Sequence, residues 1–213
     1  LAGAQKFMTG GTSLRPFERM QFLRGSQNLF IDLGYETAEM LRLLDMVHEF
    51  HMAELTEAVK TDVDALRFMD DWGAQQSLLI SPDQWRKLFK PLYRQYCDAI
   101  HAAGKKVFFH SDGHIFDIYE DLIELGMDAI NSQLFCMDIE EIGRRFKGRT
   151  TFWGEIDRQH VLPFGTVDEV RAAVARVRAA LDDPAGGVFA QCEWGVNNPP
   201  ENVVAVFEAW EAR

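Results

Sequence analysis

His110-Ser111-Asp112-Gly113 sets an imidazole and a carboxylate two positions apart, and a thiol follows at Cys192. All three side chains are competent zinc ligands. Two of them at i and i+2 on a strand end, with a third from another strand, can make a three-ligand site with one open coordination position. The same residues can instead hydrogen-bond their own loop, with Cys192 a small buried apolar group, and spacing alone leaves both readings open. Asp70-Asp71-Trp72-Gly73, with Gln75 beyond, places two carboxylates side by side. Successive strand residues point opposite ways, so at most one of the pair faces a site while the other braces a loop or a helix N-terminus, and both can instead serve loop structure alone. Asp71 is the candidate general acid or base, with Asp70, Trp72 and Gln75 as substrate contacts. Glu155 and Asp157 form a further acidic pair suited to proton handling or substrate orientation, or to ion-pairing with Arg158 in a braced loop. Asn131, Gln133 and Glu193 add polar groups for a substrate. Phe108, Phe109, Trp72, Trp153 and Trp194 flank these positions as pocket walls or as core, and His48 and His51 read as surface residues of a helix.

The polar groups fall where short apolar strands end. Strands are expected near Lys6–Thr9, Ala65–Met69, Lys106–His110, Ala129–Asn131, Thr151–Trp153 and Gly187–Gln191. Helical periodicity occupies Pro16–Leu23, Ala38–Lys60, Pro82–Ala103, Ile115–Leu125, Ile139–Phe146, Val167–Leu181 and Pro200–Ala212. Ser81-Pro82 reads as an N-cap followed by an N1 proline, Gly104 and Gly126 as helix stops, and Thr166 with Glu169 as a capping box. Strand-helix alternation implies parallel strands covered by helices. No glycine-rich phosphate loop is present, and chemically capable residues follow nearly every strand, which favours a (β/α)8 TIM-type barrel with those ends at one mouth. Six such units can be counted where a barrel has eight, so the expected architecture is one barrel domain, 1–213, lacking its first two βα units.

Composition narrows the partners. The 213 residues carry 22 basic and 33 acidic groups, a formal charge of -11 that argues against nucleic acid and for a small-molecule substrate. Three dispersed cysteines, no signal peptide and no apolar run near the roughly 20 residues of a membrane span suggest a cytoplasmic protein with reduced thiols.

The succession DDWGAQQSLLISPDQWRKLFKPLYRQYCDAIHAAGKKVFFHSDG, GMDAINSQ, GEIDRQHVLPFGTVDEVRAAV and NNPPENVVAVFEA resembles the uroporphyrinogen decarboxylase superfamily, in order over residues 6 to 212. The resemblance implies a (β/α)8 barrel with its site at the C-terminal strand ends. The superfamily also contains zinc-dependent methyltransferases that exchange a methyl group between a small methylated substrate or thiol and a corrinoid (cobalamin) carried by a partner protein. Their zinc site of His-x-Cys and a later Cys carries over to His110 and Cys192, with Asp112 at the middle position, and Glu193 or Glu155 can supply a further oxygen. A carboxylate there hardens the site and widens the choice of metal. The leading expectation is such a methyltransferase. The alternatives are a metal-free decarboxylase of a porphyrinogen, and an inactive partial barrel that pairs its open edges with another copy or subunit, as a homo-oligomer for instance.

Overall fold

The computed structural model describes residues 6–184 and 187–212. The described chain divides into two compact units, the first holding 6–71, 80–110 and 125–127, the second 72–79, 111–124 and 128–212.

The first unit contains β1 (Thr9–Gly11), α1 (Pro16–Arg24), α2 (Ser26–Tyr35), α3 (Ala38–Ala58), β2 (Ala65–Met69), α4 (Pro82–Leu88), α5 (Lys90–Ala102) and β3 (Lys106–Ser111), whose last residue belongs to the second unit. The strands pair in parallel, with Thr9 opposite Ala65 and Met69 opposite His110. β3 hides Val107, Phe108 and Phe109 in succession, the pattern of a strand covered on both faces. Phe68, Tyr93 and Phe109 meet with centroids 5.2 to 5.7 Å apart, and Trp85 stands edge-on to Tyr93 at 5.7 Å.

The second unit contains α6 (Phe116–Glu124), β4 (Ala129–Ser132), a 3-10 turn (Leu134–Cys136), α7 (Ile139–Phe146), β5 (Thr151–Trp153), α8 (Val161–Phe164), α9 (Val167–Leu181), β6 (Val188–Phe189) and α10 (Pro200–Glu211). Here too the strands are parallel, Ala129 opposite Thr151 and Phe152 opposite Val188. Thr166 and Glu169 make the reciprocal capping box expected of them.

Four expectations are corrected. The long helix of 82–103 is two helices, because Pro91 has no N–H to donate and its ring crowds the carbonyl of Lys87. α2 lies in a stretch without an expected element: Gly25 and Gly34 weaken the helical signal, although Leu29 and Leu33 are buried one turn apart. The first and last strands move, to Thr9–Gly11 and Val188–Phe189, where the parallel registers with β2 and β5 place them. His51 is not on the surface: it continues the buried stripe Met40, Leu44, Val47 and Leu55 of α3, accepts the Arg15 N–H at 3.4 Å and lies 3.5 Å from Glu54.

Asp70 follows β2 with no exposed surface. It accepts the N–H groups of Phe17 and Glu18 at the start of α1, both at 2.9 Å, and the Tyr93 hydroxyl at 2.8 Å. Burial pushes its carboxyl up to about 7 against the pull of those donors. The folded chain therefore keeps the Asp70 proton over a range where the unfolded chain, near 3.8, has lost it. That contribution is complete below the unfolded value and is lost as pH rises toward 7. Urea midpoints across this window should show a downward slope that Asp70→Asn flattens. Asp70→Ala, which strands three donors, should cost on the order of 3 kcal/mol.

Candidate functional site

In the first unit the chain leaves β2 with Asp70 turned into the core, so Asp71 projects the other way. The parallel register sets Met69 beside His110 and brings Asp71 Oδ1 to 3.6 Å from His110 Nε2. Both side chains are partly exposed, at 33% and 19%. A carboxylate beside an imidazole can fix the ring's orientation, whether the ring serves as a base or as a metal ligand.

In the second unit the loops around 72–74 and 111–114 are joined along their backbones. Trp72 N–H donates to Ser111 Oγ at 3.0 Å, Gly73 N–H to the Asp112 carbonyl at 3.0 Å, and His114 N–H to the Ala74 carbonyl at 2.8 Å. The approach is so close that a Cβ on Gly73 would stand 2.4 Å from the Gly113 carbonyl carbon. One on Gly113, at φ +77°, would stand 2.2 Å from the Gly73 oxygen. The glycine after His-Ser-Asp is required by this contact and by its left-handed backbone. Gly113 N–H then donates to Gln133 Oε1 at 2.9 Å.

From Gln133 a chain of polar side chains continues. Cys136 Sγ lies 3.5 Å from Gln133 Oε1, Gln75 Nε2 donates to Cys136 Sγ at 3.6 Å, and Gln159 Nε2 donates to Gln75 Oε1 at 2.9 Å. These groups line one concavity with Glu155, Asp157, Arg158 and His160. Burial raises the Cys136 thiol, Asp157 raises it further, and it stays protonated. Asp157 itself braces the turn, accepting the N–H groups of Gln159 and His160 at 2.9 Å each. Sequence reasoning did not single out Cys136. No residue beside it in sequence has ligand or base character, and only the 3-10 turn carries it to Gln133.

The other candidates of this unit lie as follows. Asn131, 5% exposed, donates to the Trp153 carbonyl at 2.8 Å and to Gln191 Oε1 at 3.2 Å, tying the ends of β4 and β5 to the chain beyond β6. Glu155 and Cys192 are both buried, and burial together with the Glu155 charge pushes the Cys192 thiol up to about 11. Asp112 accepts from Arg158 Nη2 at 2.7 Å, while Arg158 Nη1 donates to Glu193. Trp72 and Phe109 have no exposed surface and belong to the core, Phe108 is nearly as buried, and Trp153 is half-buried. Trp194 is exposed and stands edge-on to Phe207 at 6.1 Å.

His110 thus closes the first unit while Asp112 and Cys192 lie in the second. In kind, an imidazole, a carboxylate and a thiol are each groups that zinc accepts. A thiol held protonated by burial and a neighbouring carboxylate is one that a divalent cation would ionise on binding. Gly113→Ala should lower stability by roughly 2–4 kcal/mol, from forced left-handed backbone plus the clash with Gly73. Thermal melting checks this, and an unchanged Tm would show that the two loops part without cost.

The sequence matches the uroporphyrinogen decarboxylase (URO-D) family over residues 5–213. A uroporphyrinogen decarboxylase of Neisseria meningitidis serogroup C is 25% identical over 161 residues, which are 73% of this chain and 43% of that protein. Among solved structures, a methyltransferase from Methanosarcina mazei superposes on 99% of this chain with a TM-score of 0.76 and 17% identity, and this chain covers 60% of it. The chain therefore spans less than half of the curated relative and about three fifths of the structural one. With its parallel strands, the helices between them and a family match that runs nearly end to end, this chain belongs to the uroporphyrinogen decarboxylase family.

Proposed function

We propose that this chain belongs to a (β/α)8 barrel methyltransferase, one that moves a methyl group between a small methylated substrate or thiol and a corrinoid held by a partner protein. The observation that carries the reading is the Asp71–His110 pair at the ends of adjacent parallel strands, 3.6 Å apart. His110, Asp112 and Cys192 would hold zinc, which when bound supplies Lewis-acid polarisation of a substrate heteroatom.

The rest follows from the protein's own groups. Asp71 orients the His110 ring and offsets positive charge gathered beside it. The buried Glu155 carboxylate acts on Cys192 in the opposite sense to a cation, so proton loss from the thiol accompanies cation uptake and metal retention weakens as pH falls. Gln75, Gln133 and Gln159, already linked through Cys136, offer neutral donors and acceptors that orient a small polar substrate without drawing charge toward it.

Elemental analysis of the chain purified without chelator, beside His110→Ala and Cys192→Ala, tests the metal. Near-stoichiometric zinc is expected in the wild type, with a loss of at least about tenfold in each variant. Methyl transfer to cob(I)alamin from methylated thiols and amines, followed by the cobalt absorbance, should fall by about a hundredfold or more in His110→Ala. A chain without zinc that decarboxylates uroporphyrinogen would overturn the proposal in favour of the metal-free reaction.

A further inference from the structure

Arg158 occupies an unusual place in the second unit. Its guanidinium spans two carboxylates, donating from Nη2 to Asp112 at 2.7 Å and from Nη1 to Glu193. The three side chains differ in shielding: Arg158 is 23% exposed, Asp112 33% and Glu193 56%. The Asp112 contact is the less screened of the two and the Glu193 contact the more hydrated. The backbone beneath Arg158 is fixed, because Asp157 caps the N–H groups of Gln159 and His160.

We infer that Arg158 is a built-in counter-ion for Asp112, one that competes with a divalent cation for that carboxylate and withdraws onto Glu193 when the cation is seated. This inference rests on the proposed metal site and names a residue that governs it. A guanidinium stays charged throughout the physiological range, so it cannot vacate Asp112 by losing a proton. It has to be displaced by a stronger cation. Displacement without a second partner would leave a partly buried positive charge uncompensated beside the incoming metal, which is costly. Glu193 removes that cost, since the arginine keeps one carboxylate when it gives up the other. The two carboxylates then play opposite parts: Asp112 binds the cation, and Glu193 holds the arginine clear of it.

Opposite parts predict opposite effects. Zinc affinity is measured by competition against a chromophoric chelator for the whole chain, for Arg158→Gln and for Glu193→Gln. Arg158→Gln should bind zinc about tenfold more tightly, because the competing cation is gone. Glu193→Gln should bind it several-fold more weakly, because the arginine then has Asp112 alone. A merely structural role for the trio would weaken binding in both variants, and that result overturns the inference. Zinc binding equal in all three proteins also overturns it while leaving the metal site standing. Absence of zinc from all three removes the metal site and this inference together. Should Arg158→Gln fail to fold, the direction of the Glu193→Gln change decides alone.

Discussion

The position of Asp70 is the constraint on which the first unit turns. A carboxylate with no exposed surface survives there because α1 presents two N–H groups and α5 presents the Tyr93 hydroxyl to it. One side chain thus joins the end of β2 to the first turns of α1 and α5, and it satisfies two of the donors that a helix N-terminus leaves unmet. Its inward orientation also decides where its neighbour goes. Chain alternation sends Asp71 to the opposite side, where the parallel register with β3 has placed His110. The buried carboxylate is structural, and its partly exposed neighbour faces His110.

The second unit reaches its arrangement by a different route, through backbone contact. Gly73 and Gly113 let two loops approach until a single added carbon on either would collide with the other. That approach frees the Gly113 N–H to fix Gln133, and from Gln133 the polar chain runs through Cys136 and Gln75 to Gln159. Neutral amides and a protonated thiol dominate this relay. The charged groups of the unit are instead satisfied by one another, with Arg158 between Asp112 and Glu193 and with Asp157 facing backbone N–H groups.

Much of the frame was legible from sequence. β2, β5, α7 and α9 fall on the expected residues, because apolar strands and capped amphipathic helices carry their signals locally. Expectation failed where the signal was not local. Pro91 divides a helix that periodicity runs through, and α2 starts after one glycine and contains another, Gly34. His51 is polar in type but buried by its place on the stripe of α3. For the acidic pair the sequence established the alternative, one residue bracing and one facing outward, without saying which.

The sequence by itself determined the alternation of strands and helices, the clustering of polar residues at strand ends, and the family to which the chain belongs, since periodicity, caps and motifs are written in neighbouring residues. Tertiary structure alone decided which carboxylate is sacrificed to the core, which histidine gains an acidic partner, how Cys136 enters a polar chain, and that an arginine 46 positions away holds Asp112. Those outcomes depend on contacts between residues distant in the chain. Strand register, helix docking and the close passage of two glycines create such contacts, and no local pattern encodes them.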